Sequence, residues 1–185
     1  MKSLILKGIY KSYGALEVLK DFSLEVMEGE HVVLMGESGK GKTTLLNIIM
    51  DFESSDAGAV QVGGEISAMF QEDRLSEGFT ALSNVCLLKN SRKEGEILLK
   101  KLEIESKKRV EEMSGGQKRR VALARALLNP AALFIFDEPL KGLDEGTKAM
   151  TMEVIEEYTK GKSAIFVTHD ISEGKTYGDR IIRLQ

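Results

Sequence analysis

Three short runs of apolar residues, each the length of a strand, are spaced along the chain. They occupy residues 31–35, 131–136 and 164–167, and apolar and polar residues do not alternate within them. Continuous runs of this kind are typical of parallel strands that are buried on both faces. Residues 43–50 and 147–160 have helical length and spacing, and the second helix carries Met150, Val154, Ile155 and Tyr158 on one side. The pattern predicts an α/β fold with a mostly parallel sheet.

The segments around these runs divide the predicted single domain, residues 1–185, into three parts. Residues 1–75 would form an N-terminal antiparallel β lobe together with the first strand and helix of the core. Residues 76–128 would form a helical subdomain, in which one helix has its apolar positions at Ile97, Leu98, Leu99, Leu102 and Ile104. Residues 129–185 would return to the core. With 42% apolar residues, a chain of this length can bury such a core.

A glycine-rich loop joins the first apolar run to the first helix. Its residues are Gly36, Glu37, Ser38, Gly39, Lys40, Gly41, Lys42 and Thr43, and Thr44 follows them in the predicted nucleotide-binding set. The order fits the G-x-x-x-x-G-K-[ST] pattern of P-loop NTPases, in which backbone N–H groups and a helix N-terminus bind phosphate oxygens. The Lys42 ammonium would reach the β- and γ-phosphates, and the Thr43 hydroxyl would coordinate Mg²⁺. The loop alone also occurs in kinases, GTPases and helicases, and a glycine-rich turn can match the pattern by chance.

Two adjacent carboxylates, Asp137 and Glu138, come directly after the second apolar run. Asp137 stands where P-loop enzymes place the acidic residue that holds Mg²⁺. Glu138 points to a different face of an extended chain, so the two carboxylates can have different tasks. An Asp-Glu-Pro turn at a strand end is the alternative interpretation. The phosphate loop earlier in the chain favours the metal site.

The most specific motif is Ser114-Gly115-Gly116-Gln117, which opens a basic helix. Ser114 is a favourable N-cap, and the helix that follows carries Val121, Ala124 and Leu128 on one face before Asn129 and Pro130 end it. Together with the phosphate loop and the two carboxylates, this motif resembles the signature of the ATP-binding cassette (ABC) ATPases. These are the nucleotide-hydrolysing subunits of ABC transporters, and the resemblance spans nearly the whole chain. It implies ATP as the nucleotide.

The resemblance implies a role for one residue in each further motif. Glu138 would be the general base that polarises the attacking water, and His169 would contact the γ-phosphate and help to hold that water. Gln71 resembles the Q-loop glutamine, which touches Mg²⁺ or the water and couples the site to a transporter partner. Tyr13 stands where the family carries an aromatic residue that stacks on adenine, and Asp144 matches the D-loop aspartate, which communicates across a dimer. A structural histidine, an ordinary strand-end glutamine and a packing tyrosine are the alternatives.

Position in the sheet also favours a common site for these residues. The carboxyl ends of strands in an open α/β sheet meet at one edge. His169, Glu138 and the phosphate loop each follow one of the predicted strands. We therefore expect all three to reach the same nucleotide.

The signature implies that two copies of the chain act together. In the family, its helix N-terminus points at the γ-phosphate of ATP held by a second copy, so a head-to-tail homodimer would sandwich two nucleotides. Ser114, Gly115, Gly116 and Gln117 would act across that interface. The basic residues Lys118, Arg119, Arg120 and Arg125 could suggest nucleic acid. The net charge of −3 and the pI of about 5.6 argue against it, so the interpretation is a solvated or interfacial helix face and no nucleic-acid partner.

The transporter itself must lie in other chains. No apolar run approaches the ~20 residues of a membrane span, the N-terminal run is too short for a signal peptide, and the single Cys86 suits a reducing compartment. The resemblance implies a cytoplasmic protein, peripheral on the cytoplasmic face of the membrane. Its partners would be membrane-spanning subunits, with a solute-binding protein in addition if the system imports. Residues 74–88 are expected to line the groove in which a transporter helix docks.

One departure from the family concerns the length of the β lobe. The interval from Lys42 to Gln71 is 71 − 42 = 29 residues, which is short for the family and predicts a β lobe that has lost a strand or hairpin. Residues 70–75 and 80–85 resemble importer ATPases of the nitrate, sulfonate and taurine group. The transported solute is not encoded in this chain.

Three functions fit the motifs. The favoured one is the ATPase subunit of a transporter, which hydrolyses ATP to ADP and phosphate to power solute transport. A soluble ABC ATPase of DNA repair or translation would need a long coiled-coil insertion or two cassettes, and 185 residues leave no room for either. A regulatory subunit that binds ATP and turns it over poorly is the third, and Glu138 and His169 weigh against it.

Overall fold

The structure is a computed structural model that describes residues 1–37, 39–88 and 91–184. Within these ranges the strands are β1 (Lys2–Tyr13), β2 (Leu16–Met27), β3 (His31–Met35), β4 (Ala57–Val62), β5 (Ile66–Met69), β6 (Leu133–Asp137), β7 (Ser163–Val167) and β8 (Arg180–Arg183). The helices are α1 (Lys42–Ile49), α2 (Ala81–Val85), α3 (Arg92–Lys101), α4 (Gly115–Leu128), α5 (Glu145–Thr159) and α6 (Ile171–Tyr177), with a 3-10 turn at Val110–Glu112. No helix in the described ranges is long and apolar enough to cross a membrane.

The chain folds into two compact units. The first unit contains residues 1–66, 131–135 and 161–185, and the second contains residues 67–130 and 136–160. The described strands form an antiparallel sheet in the order β2-β1-β4 and a larger sheet in the order β5-β6-β7-β3-β8. These sheets confirm the predicted α/β class with a parallel sheet and an N-terminal antiparallel lobe.

The phosphate loop follows β3, which lies between two parallel strands of the first unit. β3 pairs in parallel with β7 on one side and with β8 on the other, so that Leu34 lies opposite Val167 and Ile182. The apolar residues of β3 and β7 are buried, as is typical of parallel strands at the centre of a sheet. Both strands end at the same edge, so the loop that starts at Gly36 and the segment that contains His169 emerge side by side.

The antiparallel lobe buries apolar residues of β1. Leu4 and Leu6 are two residues apart and fully buried, and Ile9 is buried as well, after a shift of register between Leu6 and Ile9. Most residues of the edge strand β4 are exposed, so the lobe has a solvated edge. The lobe also places Tyr13 at the end of β1, next to the turn into β2.

Helix α4 lies at the centre of the second unit, with α2, α3 and α5 packed against it. The predicted face of Val121, Ala124 and Leu128 is buried, as expected. The prediction of one apolar face was nevertheless too narrow, because Ala122, Leu123, Ala126 and Leu127 are buried as well. Three neighbouring helices cover more of α4 than a single stripe would require.

Two more of the predicted helices needed correction at their ends. Helix α3 ends at Lys101, so Leu102 and Ile104 lie beyond it, and Ile97 is 47% exposed although Leu98 and Leu99 are fully buried.

Helix α5 starts at Glu145 rather than at residue 147, because the Asp144 side chain caps it. Its core residues include Thr151 and Met152 with Val154 and Ile155, whereas Met150 is only half-buried. The predicted face was therefore rotated by about one residue from the real one.

Candidate functional site

The phosphate loop is shaped by left-handed backbone at two glycines. Gly39 has φ +83° and Gly41 has φ +82°, a region that residues with a Cβ rarely adopt. Gly41 is the N-cap of α1, so the loop runs directly into the free N–H groups at the start of that helix. Successive N–H groups at a helix start form an anion-binding site. Ser38, which belongs to the predicted set, lies outside the described residues.

Lys42 closes the beginning of the loop. Lys42 is 8% exposed, and its ammonium donates hydrogen bonds to the carbonyl oxygens of Gly36 at 2.6 Å and Glu37 at 2.8 Å. A buried ammonium requires such partners. Thr43 is exposed and Thr44 is half-buried in the same turn of α1. The cation is thus held against the loop in which phosphate oxygens would bind.

A cavity of about 600 Å³ opens beside this loop in the first unit. Its volume lies in the range of small-ligand sites. The residues that line it are Met35, Gly36, Glu37, Lys40, His169, Arg183 and Leu184. The structure therefore brings His169 to the phosphate loop, as the strand order predicted. Arg183, at the end of β8, is a further cation that the sequence did not indicate, because the pairing of β8 with β3 is not visible in the sequence pattern.

Hydrogen bonds hold the backbone on both sides of the exposed His169. The Thr168 hydroxyl donates to a Glu173 carboxylate oxygen at 2.7 Å, and the backbone N–H of Asp170 donates to the Thr168 hydroxyl at 3.1 Å. The backbone N–H of Thr168 also donates to the Leu34 carbonyl at 3.4 Å. The position of the imidazole along the edge of the sheet is therefore set by buried neighbours.

Tyr13 presents an accessible ring, with 47% of the residue exposed. Its hydroxyl donates a hydrogen bond to Glu53, and the Lys11 ammonium lies 5.4 Å from the ring centroid. The hydrogen bond from Tyr13, opposed by burial and reinforced by Lys11, lowers the pKa of the Glu53 carboxyl. Lys11 also donates to the Ser54 carbonyl at 2.8 Å. Tyr13 is not among the residues that line the cavity.

The two carboxylates at the end of β6 are buried in the second unit, with Asp137 9% and Glu138 8% exposed. Glu138 has φ +53°, a left-handed conformation that is uncommon for a residue with a side chain. Strained backbone of this kind concentrates at functional sites and persists when the surroundings hold it. The nearby Arg119 donates to the carbonyl oxygens of both carboxylate residues.

Gln71 follows β5 in the same unit, and both Gln71 and Glu72 are exposed. The Gln71 carbonyl oxygen accepts a hydrogen bond from Arg119 at 2.9 Å. Arg119 was predicted to belong to a solvated or interfacial basic face, and this prediction was wrong. The residue is 5% exposed, and Lys118, Arg120 and Arg125 are half-buried. Backbone carbonyl groups of distant segments, which the sequence pattern does not reveal, accept hydrogen bonds from Arg119, Arg120 and Arg125. Lys118 donates instead to the Glu77 carboxylate at 3.2 Å.

The signature residues form a capping box at the start of α4. The Ser114 hydroxyl accepts from the Gln117 backbone N–H at 3.3 Å, and the Gln117 side-chain oxygen accepts from the Ser114 N–H at 3.2 Å. The N-cap predicted at Ser114 is therefore present. Gly115 is exposed, and a Cβ on Gly116 would lie 3.0 Å from Leu143 Cδ2. Small residues here leave the positive end of the helix accessible.

Asp144 is exposed and caps α5. Its carboxylate accepts from the Thr147 hydroxyl at 2.6 Å and from the Thr147 backbone N–H at 3.0 Å. These two hydrogen bonds, the hydroxyl first, lower the pKa of the Asp144 carboxyl. The structure thus gives Asp144 a local role at the start of a helix.

Comparisons with known proteins agree with these motifs. The sequence model of the ABC transporter family matches residues 19–141. The chain is 40% identical to the aliphatic sulfonates import ATP-binding protein SsuB 1 of Shouchella clausii, over 97% of this chain and 76% of that protein. It is 36% identical to the sn-glycerol-3-phosphate import ATP-binding protein UgpC of Brucella abortus, over 100% of this chain and 59% of that protein.

A similar fold is found in the ATP-binding cassette MJ0796, solved as a dimer in a post-hydrolysis state bound to ADP and Pi. The TM-score is 0.89 at 32% sequence identity, and the match covers 98% of this chain and 94% of that one.

The fold and the phosphate loop define a P-loop nucleoside triphosphatase. Within this class the chain belongs to the ABC transporter family, as an ATP-binding and ATP-hydrolysing subunit. This membership confirms the family that the motifs predicted, including the resemblance to sulfonate importers.

Proposed function

We propose that this chain is the ATPase of an importer, and that its phosphate loop binds the β- and γ-phosphates of ATP. The observation that carries the proposal is the buried ammonium of Lys42 on the Gly36 and Glu37 carbonyl oxygens. Phosphate oxygens are stronger acceptors for a cation than carbonyl oxygens are, so ATP would take over these bonds. The N–H groups at the start of α1 and the left-handed glycines supply the remaining donors.

The donor set proposed for Mg²⁺ fits the ion chemically. Thr43 offers a hydroxyl, Asp137 a carboxylate and Gln71 an amide oxygen, and Mg²⁺ prefers oxygen ligands with one or two carboxylates in addition to phosphates and water. When bound, Mg²⁺ would neutralise negative charge on the phosphates. Asp137 suits this role because it is buried at the end of β6, where Arg119 donates a hydrogen bond to its carbonyl oxygen.

Glu138 is the proposed general base for the attacking water. The left-handed backbone at Glu138 turns the chain sharply after β6, and the carbonyl of this residue is held by Arg119 and by the N–H of Lys141. His169 would contact the γ-phosphate from its place beside the phosphate loop. Tyr13 would stack on adenine with its accessible ring.

Two copies of the chain would assemble head to tail around ATP. The accessible N-terminus of α4, with Ser114, Gly115, Gly116 and Gln117, would meet the γ-phosphate held by the other copy, and Asp144 would lie at the same interface. The dimeric structures of the similar cassette MJ0796 support this arrangement.

The ATPase is proposed to act on the cytoplasmic face of a membrane. Its partners would be separate membrane-spanning subunits and a solute-binding protein. Several of the most similar relatives are named as import ATP-binding proteins, which supports import. Within the predicted docking region 74–88, Phe79, Leu87 and Leu88 are 52%, 51% and 79% exposed. Exposed apolar residues of this kind suit a transporter helix. An aliphatic sulfonate is the leading solute, on the strength of the SsuB relatives.

The central experiment compares steady-state ATP hydrolysis by the wild type and by Glu138→Gln, with light scattering in ATP and Mg²⁺ to follow dimers. We expect the variant to bind ATP, to lose most of its turnover and to accumulate as a dimer, because water activation is lost while the phosphate contacts remain. Glu156→Gln is the matched control, since Glu156 is an exposed carboxylate on α5. Near-normal turnover in Glu138→Gln would remove Glu138 as the base.

A second variant separates binding from chemistry. Lys42→Ala should weaken ATP binding itself, measured by titration with a fluorescent ATP analogue, because it removes the cation at the phosphates. Unchanged affinity would contradict the assignment of the phosphate loop. Wild-type binding without turnover, even with membrane subunits present, would instead favour a regulatory subunit.

A further inference from the structure

Arg119 has contacts that none of the proposed roles explains. It lies in the second turn of α4, and its side chain is 6% exposed. Arginine is almost never buried to this degree unless acceptors surround it. Here the acceptors come from two separate segments of the second unit, one after β5 and one at the end of β6.

The first set of contacts is with the end of β6. Nε and Nη2 of Arg119 donate to the Glu138 carbonyl oxygen at 3.1 Å and 2.6 Å, and Nη2 also donates to the carbonyl oxygen of Asp137. These bonds hold the backbone at the point where Glu138 adopts its left-handed conformation. Hydrogen bonds from an ionised donor are stronger than neutral ones, so they stabilise this turn directly.

The second set of contacts is with the segment that carries Gln71. Nη1 of Arg119 donates to the carbonyl oxygens of Phe70 and Gln71, both at 2.9 Å, and to a carboxylate oxygen of Asp73 at 2.9 Å. The Asp73 carboxylate supplies the opposite charge that a buried guanidinium requires. One planar group therefore bonds to both segments at the same time.

We propose that Arg119 is a positioning residue for ATP hydrolysis, which sets the spacing between the backbone of Gln71 and the backbone of Asp137 and Glu138. The guanidinium has five N–H donors in a rigid plane, so it fixes directions as well as distances. A lysine ammonium is a single point and cannot serve both segments with the same geometry. The inference rests on the proposed roles of Gln71 and Glu138. Because α4 also carries the signature, a displacement of this helix would move both segments together.

Arg125, six residues further along α4, provides a natural comparison. Its Nη1 donates to the Arg74 carbonyl at 2.7 Å and its Nη2 to the Asp73 carbonyl at 2.9 Å. These two hydrogen bonds of Arg125 are with the segment after β5 and not with the end of β6. Substituting Arg125 therefore perturbs one of the two segments that Arg119 joins.

The test uses the full-length chain with Arg119→Lys and Arg119→Met, beside Arg125→Lys and Arg109→Lys. Arg109 is the inert control, because its exposed guanidinium pairs with the exposed Glu111 at 3.0 Å. The measurements are kcat and KM for ATP, affinity for a fluorescent ATP analogue, melting temperature, and amide hydrogen exchange without nucleotide. If Arg119→Met does not fold, Arg119→Lys carries the test, because it keeps the charge and most of the volume.

We expect Arg119→Lys to lower kcat by about 10-fold to 100-fold, which is the effect of a small misplacement of catalytic groups. KM and ATP affinity should stay at the wild-type values, because the phosphate loop is untouched. Hydrogen exchange should accelerate in residues 70–75 and in residues 137–141. Arg125→Lys should accelerate exchange in residues 70–75 alone and lower kcat less, and Arg109→Lys should match the wild type.

Wild-type kcat together with unchanged exchange at 137–141 in Arg119→Lys would overturn the inference. An equal loss of kcat in Arg125→Lys would also overturn it, because the segment after β5 would then set the rate by itself. Failure of the proposed function is recognised separately. In that case Glu138→Gln retains turnover, and the exchange pattern of the Arg119 variants still decides whether this side chain joins the two segments.

Discussion

Alanine at position 41 would place a methyl group in space that the first unit already fills. A Cβ on Gly41 would lie 2.8 Å from Val18 Cγ1, 3.1 Å from Leu19 Cδ2 and 3.1 Å from the Val18 carbonyl oxygen. Carbon atoms in ordinary contact are about 3.5–4.0 Å apart, so Val18, Leu19 or the loop backbone must move to admit the methyl group. Overpacking of this kind costs about 1–3 kcal/mol. The left-handed φ of +82° adds about 1–2 kcal/mol for any residue with a Cβ.

Gly39 separates these two effects, because it has nearly the same φ of +83° and no described atom within 4 Å of a Cβ. Gly39→Ala should therefore cost about 1–2 kcal/mol, and Gly41→Ala about 2–5 kcal/mol. In a chain of this size each kcal/mol lowers the melting temperature by about 2–4 °C. Thermal unfolding by circular dichroism, without nucleotide so that binding does not shift the transition, should show the larger loss for Gly41→Ala.

A double substitution tests the cause of the difference. Val18→Ala removes the Cγ1 atom nearest to the new methyl group, so it should recover part of the stability that Gly41→Ala loses. The recovery should be incomplete, because the Val18 carbonyl oxygen at 3.1 Å remains. Equal melting temperatures for Gly39→Ala and Gly41→Ala, or strictly additive effects of Val18→Ala and Gly41→Ala, would refute the packing argument.

Three further predictions concern side-chain hydrogen bonds. Ser114→Ala should lower the unfolding free energy by about 1 kcal/mol through loss of the N-cap of α4, as denaturant titration will show; an unchanged midpoint would contradict it. Asp144→Ala should destabilise the chain above the ordinary carboxyl pKa. The bonds from Thr147 lower the pKa of folded Asp144, so its contribution fades as the pH falls through that lowered value, and melting curves against pH should converge there with those of the wild type. Tyr13→Phe should raise the pKa of Glu53, because it removes the hydroxyl donor; an NMR titration that finds the same pKa would contradict this.

Much of the first unit could be predicted from the sequence. The strand run at 31–35, the glycine loop and the start of α1 occupy consecutive residues, so their chemistry is local. The N-cap at Ser114 is local for the same reason, since the capping box spans only the four residues 114–117. His169 could be placed beside the loop because parallel strands share one edge. The shape of the loop follows from glycine, which alone adopts φ near +80° without strain.

Helix faces were predicted less well than helix existence. Helical spacing identifies several possible stripes, and only the neighbours of a helix decide which stripe is covered. Ile97 illustrates this, because it is 47% exposed although the adjacent apolar residues Leu98 and Leu99 are fully buried. Asp144 was assigned through its motif, but its hydrogen bonds to Thr147 appear only once the start of α5 is known.

The sequence by itself determined the family, the core strands β3, β6 and β7 and the phosphate-binding chemistry, because each depends on residues that are neighbours in the chain. The tertiary structure decided what the basic residues do. Composition and charge predict that Arg119 is a surface residue. It is buried instead, and its hydrogen-bond acceptors lie between 18 and 49 residues away in sequence. Arg183 reaches the cavity through the pairing of β8 with β3. A charge can be buried only where distant acceptors converge, and that convergence is a property of the folded chain.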